Sequence, residues 1–168
     1  MDLFTERIIT KKKDYVDYLI ILGTIIISFI AAFLIISIAG PLYFGIGLAF
    51  VAALGYAGYI VITGRNIEYE YSLTSGDLEI SKIISKRKRK RIFTGSCRQF
   101  EMIDKVSSDR HNISVDSVTS KIHAVSSMNS EDAYFFITHY NSNKVIVYFE
   151  PDSEILDIIR TFNRKAFS

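Results

Sequence analysis

Between Asp17 and Arg65 the chain carries no Asp, Glu, Lys, Arg or His. From Arg65 onward, apolar and polar residues alternate in short runs. The first pattern belongs to lipid-facing helices and the second to half-buried strands. A hydrocarbon core of roughly 30 Å needs about 20 apolar residues per helix. Tyr18–Ala39 supplies one such run and Tyr43–Thr63 a second. Gly40-Pro41-Leu42 separates them, Gly being conformationally permissive and Pro lacking the N–H that a continuing helix needs. The pattern predicts a transmembrane helical hairpin over residues 18–64, with spans at 18–39 and 43–63.

Ile67, Tyr69, Tyr71 and Leu73 alternate with Glu68, Glu70 and Ser72, the period of a strand with one buried face. Thr74-Ser75-Gly76-Asp77 predicts a turn, and Leu78–Ile84 a second strand paired with the first. Lys86-Arg87-Lys88-Arg89-Lys90-Arg91 runs into Ile92-Phe93, and Cys97–Val106 predicts a further strand carrying Phe100, Met102 and Ile103. Ser107–Asp132, rich in Ser, Asn and Asp, reads as an exposed flexible insertion with a short strand near Lys121–Val125. Ala133–Tyr140 and Lys144–Phe149 form a predicted hairpin around Asn141-Ser142-Asn143. Asp152 then caps a helix whose Ile155, Ile158, Ile159 and Phe162 share one face. Three parts follow: a polar segment 1–17, the hairpin 18–64, and a soluble domain 65–168 with its insertion at about 107–132.

Charge orients the hairpin. Arg7, Lys11, Lys12, Lys13 and Arg65 flank its outer ends, while the connecting turn has no basic residue. The positive-inside rule places both termini in the cytoplasm of a multi-pass protein of the cell membrane. Ser37-Ile38-Ala39 imitates a signal-peptide cleavage site, but the apolar run is about twice the usual core and a second span follows at once. In the second span Gly45, Ala49, Ala53 and Ala57 form a candidate helix-packing ridge; Thr24, Ser28 and Ala32 form a similar row in the first. The ridge is expected to pack one span on the other, a homo-oligomer interface being the alternative. The charge-free spans contain no ionisable group to mark an ion path.

About seven short strands followed by one amphipathic helix is the element order of a pleckstrin-homology (PH)-like domain, a bent sheet closed by its C-terminal helix. The opening Met1–Arg7, the segment Glu68–Arg91 and Phe149-Glu150-Pro151 make the chain resemble an uncharacterised family of small Gram-positive two-span membrane proteins with a bacterial PH-like C-terminal domain. The resemblance implies that fold and brings no activity with it. Phosphoinositide-binding PH domains usually carry basic residues in the first strand–strand turn, and here Thr74–Asp77 has none.

Among 168 residues, His111, His123 and His139 are scattered and Cys97 is the lone cysteine, so no intrachain disulfide and no zinc-type spacing exists. No phosphate loop, G-x-S-x-G or H-E-x-x-H occurs, and Glu101 and Asp104 read as solvated charges. The expectation is a non-enzymatic, membrane-tethered interaction or scaffold module without cofactor, partnered by the bilayer and an unknown membrane or cytoplasmic protein. The net charge of +2 does not point to nucleic acid, and no aromatic stacking platform accompanies the basic run. Lys86, Arg87, Lys88, Arg89, Lys90 and Arg91 are candidate contacts for anionic lipid, or else a solvated turn that keeps a sheet edge soluble. The lipid reading has a geometric basis: the strand leaving the bilayer at Arg65 turns at Ser75-Gly76, and its return brings the run back towards the headgroups.

Overall fold

The computed structural model describes residues 4–111 and 118–167, in two units: Lys13–Asn66, and the residues up to Lys12 together with Ile67 onward.

The first unit is two helices, α1 (Tyr15–Ala39) and α2 (Phe44–Thr63). At about 1.5 Å per residue both are long enough, and both apolar enough, to cross a membrane. Gly40, at φ 58 and ψ −175, takes a positive-φ conformation open to glycine and ends α1. Thr24, Ser37 and Thr63 turn their hydroxyls back onto the carbonyls of Ile20, Phe33 and Tyr59 at 2.7–2.8 Å, which suits a surround that offers no partner. At the outer ends Asp17 accepts a hydrogen bond from the Asp14 N–H at 3.2 Å, and its carboxylate lies 3.6 Å from the Arg65 guanidinium. The two charges that bracket the apolar stretch thus face each other.

The predicted ridge does not make the α1–α2 contact. Gly45, Ala49, Ala53 and Ala57 are all exposed, and a Cβ on Gly45 would meet nothing. The contact runs through buried Gly47 and half-buried Val51, Leu54 and Gly58. A Cβ on Gly47 would stand 3.0 Å from Ala39 Cβ, and one on Gly58 3.3 Å from Ser28 Oγ. Steps of four and three alternate along that line and hold one face; the ridge lies on roughly the opposite side of the helix. On α1, the row Thr24, Ser28 and Ala32 is half-buried, and Thr24 and Ser28 lie against Gly58.

The second unit is mainly β, with two four-stranded sheets among the described residues. The first is an antiparallel meander of β1 (Phe4–Thr10), β2 (Ile67–Thr74), β3 (Asp77–Ile84) and β4 (Lys88–Ser96). The second runs β5 (Met102–Lys105), β7 (Tyr134–Tyr140), β8 (Asn143–Phe149), β6 (Ser120–Ala124), with β6 parallel to β8. Their facing sides share a core built on Tyr71, Leu73, Ile80, Phe93, Phe136 and Phe149. α3 (Ser153–Phe162) starts where Asp152 Oδ1 accepts from the Ile155 N–H at 2.9 Å, and it buries Ile155, Ile158 and Ile159 in that core. Its Phe162 covers the β2–β3 turn, where Gly76 has φ 92 and a Cβ would stand 2.9 Å from the ring.

Three expectations change. The polar segment 1–17 is not separate: Phe4–Thr10 pairs with β2 from Phe4↔Thr74 to Thr10↔Glu68, burying Ile9 and Thr5. The helical hairpin is therefore inserted between two neighbouring strands of one sheet, and eight strands are described rather than about seven. The strand expected over Cys97–Val106 is broken, because Cys97–Gln99 forms a 3₁₀ turn that carries the chain from the first sheet to the second. Asn163 Nδ2 ties that turn down through the carbonyls of Cys97 and Phe100 at 2.9 and 2.8 Å.

Of the insertion expected to be flexible, residues 112–117 lie outside the described residues. Of its described residues, Ser107, Asp109, Arg110, Met128, Asn129, Glu131 and Asp132 are exposed, whereas part of the stretch 118–126 is packed. Val125 and half-buried Val118 join Phe135, Ile137, Ile146 and Tyr148 in a second apolar cluster on the other side of the second sheet.

A buried polar network ties the insertion to the first sheet. The Tyr71 hydroxyl donates to the Ala124 carbonyl and accepts from the Glu150 N–H at 3.0 Å. Glu150 Oε1 accepts from Ser126 N–H and Oγ–H at 3.1 and 2.8 Å, and the Ser126 carbonyl accepts from Lys12 N–H at 3.0 Å. Every member has a partner, as burial demands. Burial is the main reason that the Tyr71 phenol is pushed far above its ordinary pKa.

Candidate functional site

The basic run is divided by the fold. β3 ends at Ile84, Ser85–Arg87 turn, and β4 begins at Lys88. Ser85 and Lys86 both take φ 55, a left-handed conformation that non-glycine residues seldom adopt, with Arg87 N–H donating to Ile84 O at 3.1 Å. This end of the sheet also holds Ile67, opposite Ile84, and Thr10, opposite Glu68. It is thus where the chain leaves for, and returns from, the apolar helices.

Strand alternation sends consecutive basic residues to opposite faces. Arg91 lies across from Ser81, and Arg89 across from Ile83, on the face that carries Glu68, Glu70 and Glu79. There Arg89 Nη2 is 2.6 Å from Glu70 Oε2, Arg91 Nε is 2.9 Å from Glu79 Oε1, and Lys86 Nζ is 4.0 Å from Glu68 Oε1. The Arg89 contact is charge against charge without hydrogen-bond alignment at that oxygen. Glu70 is buried, and burial raises its carboxyl pKa against the pull of Arg89; nearby Glu6 adds to the rise.

Lys90 lies across from Lys82, and Lys88 across from Ile84, on the same face as Ile67 and Tyr69. Lys88 and Lys90 are exposed and Lys82 half-buried. No carboxylate among the described residues stands within ion-pair distance of these three. Of the predicted contacts, then, Arg89 and Arg91 are occupied and Lys86 is weakly paired, while Lys88 and Lys90 present unpaired charge. Sequence reading missed Lys82, because it sits outside the run; the signal was its phase in β3, which makes it the cross-strand neighbour of Lys90.

The other candidates do not converge on a reaction. Glu101 is 2.7 Å from Lys144 Nζ and 3.2 Å from His139 Nδ1, whereas Asp104 faces Arg110 at 3.9 Å. His111 Nε2 is 3.0 Å from the Tyr148 hydroxyl and His123 stacks on the Tyr148 ring at 4.8 Å. Burial, then the charge of Lys121, holds both imidazoles below their ordinary range, and burial pushes the Tyr148 phenol up. Cys97 is buried and its thiol is pushed up to about 12, chiefly by burial, far from the thiolate a nucleophile needs. A cleft of about 640 Å³ beside Lys105–Ser107 and Met128–Glu131 is an open loop surface. Among the described residues no three His, Cys, Asp or Glu side chains are grouped to hold a metal.

The described residues thus comprise two packed four-stranded sheets with a charged surface and, as a separate unit, two helices long and apolar enough to span a membrane. The model of the family described as Bacterial PH-like domain (DUF6106) matches residues 1–168, and the chain belongs to that family. Comparison with curated proteins and with solved structures found no match.

Proposed function

We propose that the protein is a non-enzymatic, membrane-tethered interaction or scaffold module, its PH-like sheets closed by α3 and held at the cytoplasmic face by the α1–α2 hairpin. The observation that carries this reading is the insertion of the hairpin between β1 and β2. Those strands pair over Phe4–Thr10 and Ile67–Thr74, so the sheet forms only if both flanks of the hairpin lie on one side of the bilayer. An anchor that joins an edge strand to its neighbour holds the domain at two points of the chain rather than one. The basic flanks Arg7, Lys11, Lys12, Lys13 and Arg65 favour the cytoplasmic side. Signal-peptide cleavage after Ala39 would cut β1 away from its partner, which speaks against it.

Reporter fusions before Met1 and after Ser168 test this; fusion after Thr10 would break the sheet. Both reporters are expected active in the cytoplasm, and a C-terminal reporter active only outside it ends the proposal. Affinity capture of the full chain from detergent extracts then asks for the partner. A stoichiometric membrane or cytoplasmic protein supports the scaffold role, and none in any growth condition counts against it.

A second reading, docking on anionic lipid headgroups, is favoured by the unpaired Lys88 and Lys90 at the sheet end from which the hairpin departs.

A further inference from the structure

We infer that Lys82, Lys88 and Lys90 form the face by which the β domain docks on anionic lipid, and that Arg89 and Arg91, though members of the same basic run, take no part. The inference rests on the membrane-tethered reading and sharpens it.

Three observations support it. First, the run is sorted by strand alternation: the arginine face meets Glu70 and Glu79 at 2.6 and 2.9 Å, whereas the lysine face has no carboxylate within ion-pair distance among the described residues. Charge already paired within the fold attracts an external anion weakly; unpaired charge attracts it at full strength. Second, Lys82 joins Lys88 and Lys90 through the register, turning alternate members of a linear run into a compact group of three on neighbouring strands. Third, the group sits at the end of the sheet from which the chain departs. Only residues 11–14 separate β1 from α1, and residues 64–66 separate α2 from β2. Links of that length extend no more than about 14 Å, comparable with the screening length of roughly 8–10 Å at ordinary ionic strength. The β2–β3 turn, at the other end of β2 and β3, has no basic residue of its own and lies under Phe162.

Lysine suits this task. Its ammonium is a flexible point charge that follows a fluid headgroup layer, whereas the guanidinium groups of Arg89 and Arg91 lie against Glu70 and Glu79. Each lysine reaching the headgroups multiplies the docked-to-free ratio about fivefold, and three together do so by roughly a hundredfold. The spans supply retention, so this attraction acts on the domain's orientation and decides which of its faces is left for a partner.

The test uses the full chain in nanodiscs of phosphatidylcholine alone and with one third replaced by phosphatidylglycerol. Ser85→Cys, with Cys97 buried, gives one labelling position for a fluorophore at the basic turn, and lipids spin-labelled at the headgroup quench it on docking. Quenching should be strong in the anionic discs, weak in the neutral ones, and reduced by added salt. Lys82→Gln/Lys88→Gln/Lys90→Gln should bring the anionic discs down to the neutral level. Arg89→Gln/Arg91→Gln should leave quenching unchanged, with thermal unfolding confirming that both variants fold. Equal quenching in the two lipids, or a loss in the arginine variant matching that in the lysine one, overturns the inference. Failure of the chain to enter nanodiscs would instead overturn the membrane-tethered reading itself, and the inference with it.

Discussion

The helical hairpin and the β unit are held together in opposite ways. In the hairpin every backbone hydrogen bond is local, the two helices are joined by a turn of a few residues, and contact rests on small side chains such as Gly47 and Gly58. In the β unit the first strand is separated from its partner by the whole hairpin, and β6 reaches its parallel neighbour β8 only across β7. One region is specified by nearest neighbours and the other by closure over long stretches of chain. The hairpin is therefore expected to be exchangeable as a cassette, and the β unit is expected not to tolerate loss of β1.

The largest effect expected from that contrast follows removal of β1. Deleting residues 1–10 strips the ladder from β2, uncovers Tyr69 and Tyr71, and removes buried Ile9. The loss should reach about 5 kcal/mol, the scale of a small domain's whole stability, and circular dichroism should show the β signal collapsing. Replacing residues 13–66 with a short Gly-Ser loop should instead give a soluble, folded β unit with a cooperative thermal transition. If the hairpin-less chain fails to fold while the β1 deletion folds, the comparison is inverted.

Next in size is Gly58→Leu against Ala53→Leu. The first drives a side chain into Ser28 and Thr24, where a Cβ alone would stand 3.3 and 3.6 Å away, and overpacking of this kind costs about 1–3 kcal/mol. The second projects into lipid and should change little. Unfolding of the purified chain in detergent, followed by helicity, compares them. An Ala53→Leu effect on oligomer size, seen by crosslinking, would return the exposed ridge to the role of an interface between copies.

Tyr71→Phe asks how firmly the insertion is tied to the first sheet. It leaves Glu150 N–H and Ala124 O buried without that hydroxyl and should cost about 2 kcal/mol in urea unfolding of the hairpin-less chain. Proteolysis within the insertion should quicken in parallel.

The smallest effect concerns Glu70. Its folded-state pKa lies above the unfolded one, so the folded state takes up the proton more readily. Its stabilising contribution is complete below the unfolded carboxylate pKa and is lost as pH rises through the folded value. Glu70→Gln should therefore flatten the rise in melting temperature on mild acidification. It should do so with little cost at neutral pH, because Arg89 is mostly solvated. A variant whose melting profile keeps the wild-type pH slope would assign that slope to another group.

How much of this was legible beforehand depended on range. The two apolar helices, the β7–β8 hairpin around Asn141 and Ser142, and the Asp152 cap of α3 are each specified within a few residues. Phe4–Thr10 alternates like a strand, but its partner lies beyond the hairpin, and seven residues beside a membrane span read as a flank. The ridge Gly45, Ala49, Ala53 and Ala57 has a real period, yet a period names a face without saying what covers it. Only the packing of Gly47 and Gly58 on α1 decided which side was used.

The basic run shows the division most clearly. Sequence order by itself determined that six positive charges are consecutive; the fold puts Lys86 and Arg87 in a turn and Lys88 to Arg91 in β4. What each charge does was decided only in three dimensions. Alternation sends odd and even positions to opposite faces, and the carboxylates that occupy one face come from β2 and β3, whose alignment exists only in the folded sheet. An ion pair depends on the distance between strands, a quantity that sequence order does not contain.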